Sequence, residues 1–110
     1  MHPQPGEVWL ADLGLAAKTR PVVIVSRADL DPPRALVLYV PLTTQARGSA
    51  YEVAMPKLGF LHAECVANVQ GLGSLARVRL ERRLGVLPSD VMAEIRRALG
   101  FALDLKLAGD

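Results

Sequence analysis

The chain has 110 residues, of which 51% are hydrophobic and 22% are charged, and its formal net charge at pH 7 is +2. This length and composition predict one globular domain over residues 1–110 and exclude a disordered chain. The sequence has no run of about 18 consecutive apolar residues, which a membrane span requires, and residues 1–5 lack the basic and apolar regions of a signal peptide. We therefore expect a cytoplasmic protein with no membrane partner.

Short apolar and β-branched runs, separated by turn residues, predict five to seven β-strands. The run over residues 21–26 is apolar almost throughout, which is typical of a strand buried on both faces. Pro41 is predicted to begin the loop after the third strand, and residues 71–73 are predicted to form a flexible corner. The predicted strands cover residues 6–13, 21–26, 35–40, 51–55 and 63–69, with shorter candidates at 77–80 and 84–87.

One amphipathic helix is predicted to follow Pro88, with Ser89 as its N-cap and Asp90 placing negative charge near its N-terminus. Apolar residues recur along one helical face, which comprises Val91, Ile95, Ala98, Leu99, Ala102 and Leu103. Short strands followed by one helix predict an α+β fold. We expect a small, strongly bent antiparallel β-barrel with the C-terminal α-helix packed against it.

The cysteine and histidine content limits the chemistry. Cys65 is the single cysteine, so an intrachain disulfide is excluded, and its strand-like context predicts a small buried hydrophobic side chain. His2 and His62 are the two histidines, too few for a Cys- or His-rich zinc site. We expect a reaction that requires no metal ion or other cofactor.

Two loops carry groups suited to phosphate. Arg20 precedes Pro21, which holds it in extended backbone, and Pro-Leu-Thr-Thr-Gln occupies residues 41–45 after the next predicted strand. With Pro-Gly-Glu-Val-Trp at residues 5–9 and the closing helix, this order resembles the MazF/PemK toxin family over about residues 5–105. That family comprises endoribonucleases, also called mRNA interferases, of bacterial type II toxin–antitoxin pairs.

The resemblance implies a small SH3-like barrel that acts as a homodimer, cuts single-stranded RNA and is inhibited by a cognate antitoxin protein. RNA carries its own nucleophile, the 2′-hydroxyl, so a metal ion is not required for attack on the neighbouring phosphate. The enzyme must then stabilise charge on the phosphoryl oxygens and move protons.

The resemblance assigns catalysis to Arg20 and Thr43. The family has a matching Arg-Pro, whose arginine is implicated in catalysis, and a Thr or Ser after the corresponding strand. An arginine stays protonated near neutral pH, so Arg20 is expected to clamp the phosphate and stabilise the transition state. Thr43 is expected to donate a hydrogen bond to the scissile phosphate, although such a hydroxyl can instead bond to local backbone.

Neighbouring polar residues are the candidates for RNA binding, with a solvent-exposed loop as the alternative. They are Lys18, Thr19, Thr44, Gln45, Arg47 and Gln70. Gln70 occupies a position where many family members have an arginine, so the resemblance weakens there. Trp9 is expected to pack in the core, and His62 is a possible proton carrier that matches no catalytic position of the family.

The basic run at residues 77–83 leaves several roles open: an RNA track, a solvated face or an antitoxin contact. Two alternatives to an active nuclease also remain. One is a catalytically weak or inactive family member that binds antitoxin or RNA, and the other is a CcdB-like toxin that binds gyrase and needs no phosphate site.

Overall fold

The computed structural model describes residues 2–14 and 19–106, and within them the chain forms strands, two short 3₁₀ turns and one C-terminal α-helix. The strands are β1 (Glu7–Ala11), β2 (Arg20–Ile24), β3 (Leu36–Thr43), β4 (Glu52–Ala54), β5 (Val66–Asn68), β6 (Gly73–Ala76) and β7 (Leu80–Val86). The helix α1 covers Ser89–Ala102, and the 3₁₀ turns cover Val69–Gly71 and Arg77–Arg79. The described strands are thus consistent with the five to seven predicted.

The strands pair antiparallel in the order β4-β5-β3-β2-β1-β7, and β6 pairs with the first half of β3. β3 is therefore the central strand. One of its edges pairs with β2, and the other pairs first with β6 and then with β5. The predicted α+β class, with an antiparallel sheet and a C-terminal helix, is confirmed.

Both faces of the sheet are covered by apolar side chains. One core cluster lies between the sheet and α1 and includes Val23 and Ile95, while a second cluster on the other face includes Trp9, Val22 and Ile24. Val22, Val23 and Ile24 of β2 have no exposed surface. The prediction of a strand buried on both faces is confirmed for these three residues, whereas residues 21, 25 and 26 are half-buried. The core position of Trp9, which is 8% exposed, is confirmed as well.

The third strand is longer than predicted. Pro41 does not begin a loop but lies inside β3, which continues to Thr43. β6 pairs with β3 up to Tyr39, and β5 pairs with it from Leu42 onward. The proline falls in the gap between these two partners, so its missing N–H interrupts neither set of hydrogen bonds.

The predicted flexible corner at residues 71–73 and the predicted strand at 77–80 are wrong. Gly73 begins β6, opposite Tyr39, and residues 77–79 form a 3₁₀ turn. A Cβ atom at position 73 would lie 3.0 Å from the Tyr39 hydroxyl oxygen. The absence of a side chain at Gly73 thus leaves room for the ring of Tyr39.

The helix begins after Pro88, as predicted, but its N-cap differs from the prediction. Pro88, not Ser89, is the N-cap, no side chain caps the helix, and the Pro88 carbonyl accepts a hydrogen bond from Met92 N at 3.1 Å. Leu103 lies beyond the last helical residue and is 52% exposed, so it is not part of the buried face. Across residues 2–14 and 19–106, no helix is both long and apolar enough to cross a membrane.

Candidate functional site

The register between β2 and β3 brings Arg20 and Thr43 to the same end of the sheet. Val22 pairs with Pro41, so counting two residues outward along each antiparallel strand places Arg20 opposite Thr43. Side chains two residues apart on a strand share a face. The sheet therefore presents a guanidinium and a hydroxyl from adjacent strands on one face, although 22 residues of chain lie between them.

Both residues line an open groove of about 620 Å³, which we call the Arg20 groove. The side chain of Arg20 is exposed and that of Thr43 is half-buried, so each is accessible to a ligand. Thr44 and Gln45, which follow β3, line the same groove. The structure thus brings together both predicted catalytic residues and two of the predicted RNA-binding residues.

A hydrogen bond fixes the hydroxyl of Thr43. The backbone N–H of Gln45 donates to Thr43 Oγ1 at 3.1 Å. This is the local backbone bond that the sequence left open as an alternative to a functional role. It uses an acceptor position of the oxygen and leaves the hydroxyl hydrogen able to donate, so the two roles are compatible.

The loop after Gln45 is organised around a carboxylate. The backbone N–H groups of Arg47, Gly48 and Ser49 donate to the side chain of Glu52, at distances of 2.9 to 3.3 Å. Gly48 has a φ of +67°, a conformation that glycine adopts readily. The carboxylate therefore occupies the set of N–H groups that an anion would otherwise bind. The side chain of Arg47 is exposed and does not line the Arg20 groove.

The remaining predicted RNA-binding residues lie elsewhere. Thr19 is exposed just before β2, and Gln70 is exposed in the 3₁₀ turn after β5; neither is among the described residues that line the Arg20 groove. Lys18 lies outside the described residues. The roles proposed for these three residues stay predictions.

The Arg20 groove also contains His62 and Cys65, which the sequence did not predict to lie near Arg20. Both lie in the segment between β4 and β5, and both line the Arg20 groove. Burial raises the pKa of the Cys65 thiol, which is only half-buried rather than a core side chain as expected. The sequence contained a weak signal for His62, since an exposed histidine in a loop is a common proton carrier, but only the tertiary structure relates it to Arg20.

A second groove of about 730 Å³ adjoins the first. The two share Thr44, Leu61, His62, Ala63 and Cys65, and the second also includes Lys57 and Glu64. Over the described part of the chain, no three His, Cys, Asp or Glu side chains cluster as a metal site would require.

Most of the basic run at residues 77–83 is engaged within the chain. Arg83 Nε donates to Glu7 Oε2 at 2.9 Å, and the Arg79 guanidinium lies 3.6 Å from an Asp12 oxygen. Arg77 donates to the Asp29 carbonyl at 2.7 Å. These contacts join β1 and the loop after β2 to β7 and its preceding turn, which indicates a structural role for three of the four arginines.

Comparisons with known proteins identify the family. The family model described as "PemK-like, MazF-like toxin of type II toxin-antitoxin system" matches residues 4–103. The chain is 34% identical to the probable endoribonuclease MazF5 of Mycobacterium tuberculosis, with 93% of this chain and 94% of the relative covered. It is 31% identical to the endoribonuclease MazF3 of the same species, with 80% of this chain and 85% of that relative covered.

Solved structures agree. A mycobacterial endoribonuclease in complex with its cognate antitoxin superposes with a TM-score of 0.83 at 31% identity, covering 96% of this chain and 98% of that one. The MazE–MazF complex of Deinococcus radiodurans superposes with a TM-score of 0.80 at 29% identity, covering 96% of this chain and 99% of the matched one. The predicted family, and with it the prediction of an endoribonuclease toxin, is confirmed: this chain belongs to the PemK-like and MazF-like toxins of type II toxin–antitoxin systems.

Proposed function

We propose that this member of the family cleaves single-stranded RNA at the Arg20 groove by attack of the 2′-hydroxyl, without a bound metal ion, as a cytoplasmic enzyme. The observation that carries the proposal is the convergence of Arg20 and Thr43 on one face of the sheet and in one open groove. A permanent cation and a held hydroxyl donor are the groups that stabilise charge on a phosphoryl oxygen.

The reaction transfers a phosphoryl group within the RNA. The 2′-oxygen forms a bond to phosphorus as the bond from phosphorus to the 5′-oxygen breaks, and the products are a 2′,3′-cyclic phosphate and a 5′-hydroxyl. A proton leaves the 2′-hydroxyl and another reaches the departing 5′-oxygen. Arg20 and Thr43 act on the non-bridging oxygens, whose negative charge grows in the transition state.

The partners we propose are an antitoxin protein and a second copy of the chain. Family membership supports the antitoxin, as do the relatives solved with theirs. For the dimer, Leu36 and Leu38 project from the same face of β3 and are 43% and 46% exposed. A second copy that covers this apolar strand would show in sedimentation equilibrium as a dimer at micromolar concentration, whereas a monomer would contradict this part of the proposal.

The decisive test is incubation of the purified chain with single-stranded RNA in the presence of EDTA, followed by analysis of the product ends. We expect cleavage that leaves a cyclic phosphate and a 5′-hydroxyl, and no cleavage of DNA of the same sequence, which lacks the nucleophile. Strict dependence on added magnesium, or equal cleavage of DNA, would overturn the proposed mechanism. Binding of RNA without any cleavage would favour the inactive-member alternative.

A further inference from the structure

The segment between β4 and β5 holds His62 at the junction of the two grooves. The residues just before the histidine anchor this segment. Leu61 N donates to the Leu58 carbonyl at 3.0 Å, and Phe60 packs so closely on Gly85 of β7 that a Cβ there would lie 2.4 Å from the ring. His62 is therefore an exposed side chain on a well-packed support.

The sheet order places β2, which begins with Arg20, and β5, which follows the segment that holds His62, on opposite edges of β3. Arg20 belongs to β2, and His62 precedes β5, whose first residue Val66 pairs with Thr43. β3 lies between β2 and β5. Arg20, Thr43 and His62 all line the Arg20 groove, so a phosphate held at Thr43 would share one groove with both the guanidinium and the imidazole.

The other described side chains of the Arg20 groove are poor proton acceptors near neutral pH. The guanidinium of Arg20 has donors and no acceptor, and the amide of Gln45 and the hydroxyls of Thr43 and Thr44 are not basic. Tyr39 also lines the groove, and a phenol oxygen is a weak proton acceptor. Burial raises the pKa of the Cys65 thiol, which keeps it protonated as well. Imidazole is the side chain suited to accept a proton in this range.

We propose that His62 is the general base that accepts the proton of the RNA 2′-hydroxyl. This inference rests on the proposed function and adds the residue that the Arg20 and Thr43 pair lacks. As the proton passes to an imidazole nitrogen, the 2′-oxygen attacks phosphorus and the bond to the 5′-oxygen breaks. The departing 5′-oxygen takes a proton from water, to which the groove is open, and the imidazolium later releases its proton to solvent.

The charged and titratable groups around His62 come from both grooves. Arg20 on β2 and Cys65 before β5 line the Arg20 groove, while Lys57 and Glu64 line the adjoining one. A general base gives activity that falls at low pH as the base becomes protonated. The acidic limb of the pH profile of kcat/KM is therefore the property to measure in variants of the whole chain.

The test compares His62→Gln with the matched control His2→Gln. His2 is exposed and lies outside both grooves as described. We expect His62→Gln to lower kcat/KM for RNA by about 10² or more, with KM little changed, and to remove the acidic limb. The control should keep both the rate and the limb, and imidazole added to His62→Gly should restore part of the rate.

An RNA in which sulfur replaces the bridging 5′-oxygen distinguishes a general-base role of His62 from a general-acid role, because its leaving thiolate needs no proton. His62→Gln should remain slow on this RNA, and recovery to the unaltered chain's rate would overturn the base assignment. An unchanged acidic limb in His62→Gln would overturn it too, while the proposed nuclease function would stand. Absence of RNA cleavage by the unaltered chain at every pH would instead overturn both.

Discussion

The N–H of Gln45 donates to the hydroxyl oxygen of Thr43 at 3.1 Å, so a residue two positions beyond the end of β3 orients the side chain at that end. The hydroxyl is left with a hydrogen to donate toward the groove. The Thr43 hydroxyl can therefore make two hydrogen bonds, one accepted from the backbone and one donated to a phosphate. A substitution of Thr43 can remove one of them or both.

Thr43→Val keeps the shape of the side chain but removes both bonds, whereas Thr43→Ser keeps a hydroxyl. We expect the valine variant to cleave RNA at least about tenfold more slowly, since a hydrogen bond from a hydroxyl to a charged phosphoryl oxygen contributes ~1.5–3 kcal/mol. The serine variant should retain most activity. Thr44→Val, at the adjacent, more exposed position of the same groove, tests whether the second hydroxyl contributes as much, and single-turnover rates give the comparison. An equal loss of cleavage rate in the two valine variants would contradict a specific role for the Thr43 hydroxyl.

Arg20→Ala removes the charge that we assign to the transition state. We expect a loss of ~10² or more in kcat/KM, about 2.7 kcal/mol, as for the loss of an oxyanion donor. Thermal unfolding should change little, because the side chain is exposed at the end of β2. Arg20→Lys should restore only part of the rate, since lysine lacks the planar fork.

The control for Arg20→Ala is Arg27→Ala, which removes an exposed arginine beyond the other end of the same strand. The net charge of the two variants is equal, so a general loss of attraction for RNA would lower both rates alike. That outcome would contradict a specific role for Arg20.

Gly71→Ala tests the packing that supports β3 beside the site. A Cβ at position 71 would lie 2.6 Å from Pro41 Cγ, too close without movement of the strand. We expect the free energy of unfolding to fall by about 1–3 kcal/mol, as in other overpacked sites. Gly59→Ala is the control, since nothing lies within 4 Å of a Cβ there. Urea unfolding measures the free energy of unfolding of both variants. Equal stability of the two would mean that Pro41 can move aside at little cost and would contradict the prediction.

Cys65 should react slowly with alkylating reagents near neutral pH. Burial raises the pKa of its thiol above the ordinary value of 9.0, so the reactive thiolate is scarcer in the folded chain than in the same chain unfolded in urea. The rate of iodoacetamide labelling, measured against pH in both states, checks this. A faster reaction in the folded chain would contradict the raised pKa.

The same shift has a consequence for stability. The folded state holds the thiol proton more tightly, so the contribution is fully present below pH 9.0 and is lost as the pH rises through the higher pKa of the folded state. Cys65→Ser should lack this loss, and denaturation of both proteins across the alkaline range would reveal the difference.

The sequence by itself determined the class of the fold and most of its elements. Runs of β-branched residues and the helical spacing of apolar residues are local sequence patterns, so the buried residues 22–24 of β2 and the amphipathic helix were predictable. The Arg-Pro and Pro-Leu-Thr-Thr-Gln patterns also sufficed, through their resemblance to the toxin family, to select Arg20 and Thr43.

Only the tertiary structure decided which residues share the groove. β3 extends through Pro41 because its pairing partner changes from β6 to β5. The absence of a side chain at Gly73 leaves room for Tyr39, whose ring lies against it. The residues adjacent in the sequence do not predict either feature. His62 and Arg20 line one groove although they are far apart in the sequence. Long-range strand pairing sets such proximity, and local sequence patterns do not contain it.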